Sequence, residues 1–370
     1  MKRLLALLLA LTLAVGIFAG CGSKEAAPTQ PAKQEQKPNE EIQEPVEDDG
    51  VMKILLIGHS LGNDSSFMFP TIAKSEGEEN LVVGVLYHSG CRLVQHVDYL
   101  KANAPQYAYY EYDISTDEYW RRADSSGNFH EFIPGSGTDV YIEDGTIAQT
   151  MQFGIQRHDW DFVIMQGGLF EMANVKDGYF TAGKELDHTG YIQTIMDYVL
   201  ENDIEKGTKP KFAFNMIWGV PMDDAVLTED TKKRLYENFS GYEEMYQAMC
   251  GVYKDEIASA FDWTYMLPAG TAIENLKTTG LKNADIYRDY AHVTDYGRAV
   301  AAYTWYCTIF GKDITECQLN PIYWRVMINS FNRQYKKDME LTQEQKDLLI
   351  EAVSNAMKTP YAVTPSQNQK

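Results

Sequence analysis

Ser60 closes the run KILLIGHS, which begins at Lys53, and His292 stands late in the chain in RDYAHVTDYGRA, three residues after Asp289. A serine hydroxyl becomes a nucleophile when an imidazole takes its proton and a carboxylate orients that imidazole. Asp289 can accept from the imidazole Nδ1–H across a tight turn, leaving the other ring nitrogen for the serine. Together these residue types would do acyl transfer, with the imidazole as base and then acid. Each half has a bland alternative. A serine after Gly-x at a strand end commonly caps the next helix, and Asp-x-x-His is common as a surface turn.

The other histidines offer less. There are seven, at 59, 88, 96, 130, 158, 188 and 292. His59 adjoins Ser60, and adjacent side chains in a tightly turned segment point apart. His88 and His96 flank Cys91, but no further ligand follows at metal-site spacing, so neither a metal nor a cofactor is expected. Asn63 and Asp64 read as shaping the turn.

Such residues need a frame that brings distant segments together. VMKILLIG, NLVVGVLYH, DFVIMQG and PKFAFNMIWG read as four strands apolar on both faces. SSFMFPTIAKSEG, TGYIQTIMDYVLEN, YEEMYQAMCGVYKDEIAS and DYGRAVAAYTWYCTIFG read as helices, the last closed by Gly311. Strands of this kind alternating with helices imply an α/β fold with a mainly parallel sheet covered on two faces. In an open sheet of that kind ligands bind beyond the carboxyl ends of the strands, where Ser60 falls. The stretch YAYYEYDISTDEYWRRADSSGNFHEFI interrupts the rhythm and predicts a small antiparallel β insertion over about 105–145, turning at Ser125–Asn128. Thr342 with Gln345 fits a capping box for a helix through about Met357.

The order of these blocks resembles the SGNH/GDSL hydrolase superfamily, and is most similar to a bacterial SGNH-like branch long labelled as of unknown function. The stretches that carry the resemblance are KILLIGHSLGND, LYHSGCRLVQH, WDFVIMQGG, LPAGTAIENL and DYAHVTDYGRAVAAYTWY, which together span about Lys53 to Gly311. The resemblance implies a flavodoxin-like three-layer α/β/α sandwich and a Ser-His-Asp esterase. Ser60 would be the nucleophile, His292 the general base and Asp289 its orienter. The oxyanion hole would use the Ser60 and Gly90 N–H groups and the Gln166 amide. His59 stands where an aspartate is common in the superfamily, and Gln166 where Gly-x-Asn is usual.

The chain has 370 residues, is 44% hydrophobic and carries a net charge of −20, which disfavours a nucleic-acid partner. Lys2 and Arg3 followed by the apolar stretch to Phe18 read as a signal segment over 1–20, and FAGC resembles a lipobox that would lipidate Cys21. Residues 21–50, with four prolines and no aromatic residue, read as a disordered tether. The hydrolase-like domain is expected over 51–358 and a flexible tail over 359–370. The remaining cysteines, 91, 250, 307 and 317, lack C-x-x-C spacing and read as mostly buried free thiols, with 307 and 317 the nearest pair.

The expected setting is the cell envelope, with the protein held to the membrane by its lipid anchor. The expected substrate is an acylated carbohydrate, acetyl being the simplest acyl group. Trp218, just after the fourth strand, is a candidate ring for stacking on a sugar. The tyrosines at 107, 109, 110 and 112 are individually more consistent with core or cross-strand packing. Two other functions fit parts of the sequence: a non-catalytic glycan binder on the same fold, and a solute-binding lipoprotein, which would need two α/β lobes.

Overall fold

The computed structural model describes residues 49–116, 121–123, 129–131, 149–175, 186–204, 209–221, 229–328 and 333–368. Cys21, the signal segment, most of the tether, Trp120 and the Ser125–Asn128 turn lie outside them.

The first strand, β1 (Met52–Gly58), runs through the middle of the sheet, with Ile54, Leu55, Leu56 and Ile57 sealed from solvent. It is followed by α1 (Ser60–Ser66), α2 (Phe69–Ser75), β2 (Leu81–Tyr87) and α3 (Leu93–Lys101). β3 (Ala108–Asp113), β4 (Arg121–Ala123), β5 (Phe129–Glu131), α4 (Met151–Ile155), β6 (Phe162–Met165) and α5 (Leu169–Met172) come next. Then follow α6 (His188–Asn202), β7 (Lys211–Asn215), α7 (Glu229–Asn238) and α8 (Tyr242–Gly251), which a π-helical turn, Val252–Ala258, prolongs. β8 (Tyr265–Leu267), α9 (Ala269–Lys277), α10 (Asn283–Ile286), α11 (Asp295–Phe310), β9 (Ile322–Ile328), β10 (Arg333–Met339) and α12 (Gln343–Lys358) complete the order.

Among the described residues eight strands form one sheet in the order β5-β4-β3-β2-β1-β6-β7-β8. β2, β1, β6, β7 and β8 are parallel, as in Leu56 opposite both Val85 and Ile164. Numbered among themselves these five follow the flavodoxin-like order 2-1-3-4-5. One helix layer gathers α1, α2, α9 and α12 around α11, and the other packs α6 with α3, α4 and the π-helical turn. Both faces of the central strands are therefore covered, which is why they read as unbroken apolar runs.

The antiparallel insertion extends this sheet instead of standing apart from it: β3 pairs with β2, β4 with β3 and β5 with β4. Tyr107, Tyr109, Tyr110 and Tyr112 are accordingly buried. The short strand β8 and the β9–β10 hairpin escape the sequence reading. Three residues are too few to establish a period, and the hairpin forms its own two-stranded sheet.

Gly311 ends α11 in the left-handed region at φ +64°, and the Thr342–Gln345 capping box opens α12. Residues 359–368 depart from the expected flexible tail. Thr364 N–H donates to Asn275 Oδ1 and Ser366 N–H to Thr278 Oγ1, while Ser366 Oγ donates to Glu351. Three polar side chains of α9 and α12 thus hold the segment down, a lateral match that no local pattern reveals.

The described cysteines 91, 250, 307 and 317 are free thiols, the sulfurs of Cys307 and Cys317 standing 4.0 Å apart. Among the described residues there is no second α/β lobe. No described helix is long and apolar enough to cross a membrane.

Candidate active site

β1 ends at Gly58, and His59 turns the chain into α1. The backbone of His59 is extended, its Nδ1 accepts from the Leu61 N–H (3.4 Å), and its Nε2–H donates to the Gly167 carbonyl (3.0 Å). A helix cap needs only a side-chain acceptor at this place, and imidazole nitrogen supplies it as an aspartate oxygen would. Burial drops the His59 imidazole to about 4, opposed by the Gly167 hydrogen bond and reinforced by the nearby His292 ring. His59 is therefore a neutral anchor between two loops and is not available as a base.

Ser60 is the first residue of α1 and is partly exposed. Four residues on, and so on the same helix face, lies Asp64. Its carboxylate is 1% exposed and reaches across to the segment that contains His292. It accepts from Val293 N–H (3.1 Å), from Arg288 Nη1 (3.0 and 3.1 Å) and from Arg298 Nε (2.9 Å). The sequence reading of Asp64 as a turn-former understates it. Asp64 ties the Ser60 helix to the loop before α11.

Within that loop, Asp289 accepts from the backbone N–H groups of Ala291 (2.9 Å) and His292 (2.8 Å), and from His292 Nδ1 (2.9 and 3.0 Å). Partial burial alone would raise the Asp289 carboxyl. The imidazole bond and the two backbone donors prevail and hold it far below the usual carboxylate range. A carboxylate so held keeps the proton of the imidazole on Nδ1. His292 Nε2 is buried and has no hydrogen-bond partner among the described residues.

Gln166 follows β6 and is wholly enclosed. A Cβ at Gly58 would stand 3.0 Å from the Gln166 Cδ, and one at Gly62 would overlap its Oε1. These two glycines stand two residues either side of Ser60, so the Gln166 amide lies beneath the Ser60 turn. Its Oε1 accepts from Asn215 Nδ2 (3.3 Å), and Asn215 Oδ1 accepts from Trp305 Nε1 (2.9 Å). Its Nε2 donor has no partner among the described residues. Gly90, exposed at φ +58°, lies just past the carboxyl end of β2, where the His88 N–H to Gly58 carbonyl bond (3.1 Å) ties the ends of β2 and β1 together.

Trp218 does not offer a ring to a substrate. It is 0% exposed, and its Nε1 donates to the Ala291 carbonyl (2.7 Å), bracing the His292 loop from behind. Its place after β7, the end of a strand, is within the core. His88 and His96 face the Gln106 carbonyl and the Tyr107 hydroxyl respectively. Asn215, Arg288 and Arg298 were not singled out in sequence, because a buried polar residue gives no local signal of its partner.

A sheet of this strand order, with the Ser60 helix fastened to the Asp289–His292 loop, defines an α/β protein of flavodoxin-like strand order with a candidate site between those two segments. The chain belongs to the DUF4886 family, described as a domain of unknown function, whose model matches residues 142–334 and so includes Asp289 and His292. It is similar to a DUF4886 family protein from Bacteroides uniformis ATCC 8492, at 20% identity and a TM-score of 0.60 over 86% of this chain and all of that one. Axe2, an acetylxylan esterase from Geobacillus stearothermophilus, matches at 15% identity and a TM-score of 0.37 over 70% of this chain and 94% of its own. No curated protein matches.

Proposed function

We propose that this protein is a serine ester hydrolase. The observation that carries the reading is His292, whose Nδ1 is fixed by the Asp289 carboxylate and whose Nε2 is left without a partner, in a loop fastened to the Ser60 helix. Ser60 Oγ attacks the ester carbonyl carbon while its proton passes to His292 Nε2. Asp289 stabilises the imidazolium. The oxyanion is met by the Ser60 and Gly90 N–H groups and by Gln166 Nε2. A buried amide donor without an acceptor costs about 1–3 kcal/mol, which an oxyanion would relieve. Collapse breaks the ester C–O bond, and His292 returns the proton to the leaving alcohol. Water, deprotonated by His292, then attacks the acyl-enzyme and releases the carboxylic acid and Ser60.

The substrate we propose is an acetyl ester on a glycan, with the protein held at the cell envelope through Cys21. The N-terminal sequence supports the setting. The site requires no metal or cofactor for this chemistry. Acetate release from acetylated xylan, acetylated peptidoglycan and p-nitrophenyl acetate tests the reading. Ser60→Ala is expected to lower turnover by at least about 10³-fold, and a fluorophosphonate is expected to label the peptide carrying Ser60. Equal turnover by Ser60→Ala would remove the nucleophile assignment. Turnover of p-nitrophenyl acetate alone would leave an esterase with another substrate. Absence of turnover on all three, with no labelling, would favour the non-catalytic binder.

A further inference from the structure

A cavity of about 800 Å³ shares no lining residue with the Ser60 site. One wall is built from Tyr242, Tyr246, Cys250 and Lys254, at four-residue intervals along α8 and its π-helical extension. Glu274 and Lys277 of α9 form the opposite wall, and the fastened chain end, from Tyr361 to Pro365, forms the third. Its size is that of sites that enclose small molecules.

Charge is sunk into its floor. Glu274 is 1% exposed; its Oε1 accepts from the Gly219 N–H (2.8 Å), and its Oε2 accepts no hydrogen bond among the described residues. Lys277 Nζ stands 3.6 Å from that Oε2 and 2.8 Å from the centroid of the Tyr242 ring. A buried carboxylate oxygen that accepts no hydrogen bond is costly, and Oε2 can take a donor from a ligand. Burial is the leading cause that lifts the Glu274 carboxyl to about 7, against the pull of Lys277 and the Gly219 N–H.

The lining also limits what could fill the space. Glu274 and Glu243 are matched in number by Lys277 and Lys254, so the formal charges of the lining balance and favour no strongly charged molecule. A carboxylate acceptor beside an ammonium donor suits neighbouring hydroxyl groups, one donating to Glu274 and the other accepting from Lys277, as charge-assisted bonds. Half-buried Tyr361 at the mouth adds an amphipathic ring. We infer that this cavity binds a neutral, hydroxyl-rich ligand, a short saccharide segment, through Glu274 and Lys277. The inference does not depend on the esterase reading, because none of these residues belongs to the Ser60 site.

Calorimetric titration of the full chain carrying Ser60→Ala, which prevents turnover, with xylotriose, cellotriose and trigalacturonate tests it. At least one of the neutral trisaccharides is expected to bind and trigalacturonate is not. Lys277→Met, which removes the buried donor, and Val363→Trp, which narrows the exposed mouth without touching the buried pair, are each expected to weaken binding about tenfold or more. An unchanged thermal transition establishes that each variant is folded, and Val363→Trp decides the matter if Lys277→Met is not. Binding of neither neutral sugar, binding of trigalacturonate alone, or undiminished affinity in a folded variant would overturn the inference.

Discussion

Around Ser60 single atoms decide what the chain tolerates. Gly62 lies inside a helix, where alanine ordinarily gains about 1 kcal/mol over glycine. Here the added Cβ would overlap Gln166 Oε1 and come within 3.1 Å of Leu56 Cδ2, and Gln166 is enclosed with no room to withdraw. Gly62→Ala is therefore expected to destabilise by about 1–3 kcal/mol, read as a lower urea midpoint at unchanged slope. A midpoint that rose would show the amide free to move. The glycines of IGHSLGND were legible as a turn signal. That they also make room for a glutamine more than a hundred positions later was not, because the partner is specified by sheet order and not by spacing.

At the level of elements, the loop before α11 is held from two sides. Trp218, after β7, braces Ala291, and Asp64, on α1, takes Val293 and two arginines. Asp64→Asn keeps an acceptor for Val293 but replaces the charged partner of Arg298 with a neutral one, leaving Arg298 its second carboxylate, Asp295 (3.1 Å). The expected loss is about 1.5–3 kcal/mol of stability. If the esterase reading holds, kcat on p-nitrophenyl acetate falls while KM changes little, because the imidazole loses its registration and not its contact with substrate. Retention of both full stability and full kcat would show that the loop is positioned by Trp218 and the Asp289 turn alone. The Asp-x-x-His spacing made the internal geometry of this loop foreseeable. Its two anchors come from elements hundreds of positions apart in some cases, and no periodic pattern announces them.

Across the whole molecule, buried histidines tie stability to pH. Burial lowers the His59 ring to about 4 and the His96 ring to about 3, against an ordinary value of 6.5. Between 6.5 and 4 these two rings bind fewer protons in the folded chain than in the unfolded one, so the stability they contribute falls as pH falls through that window and is fully retained above it. Glu274, lifted to about 7, acts in the opposite sense between 7 and its ordinary 4.5. His59 alone accounts for about 3 kcal/mol of the histidine contribution. Urea unfolding at pH 7.5 and 4.5 separates the groups: His59→Asn, which keeps a capping side chain, is expected to lose less stability, or gain more, than the wild type between the two. An equal change in the variant would assign the effect to other groups. By itself the sequence determined the covered parallel sheet, the helix ends at Gly311 and Thr342, and the pairing of Asp289 with His292, because apolar periodicity, capping chemistry and a three-residue turn are all local. Only the tertiary structure decided that Trp218 is a brace and not a sugar platform, that Asp64 locks the Ser60 helix to the His292 loop, and that the chain end is fastened to α9. Each of these depends on which distant atom fills the space or accepts the proton, and that is fixed when the layers pack.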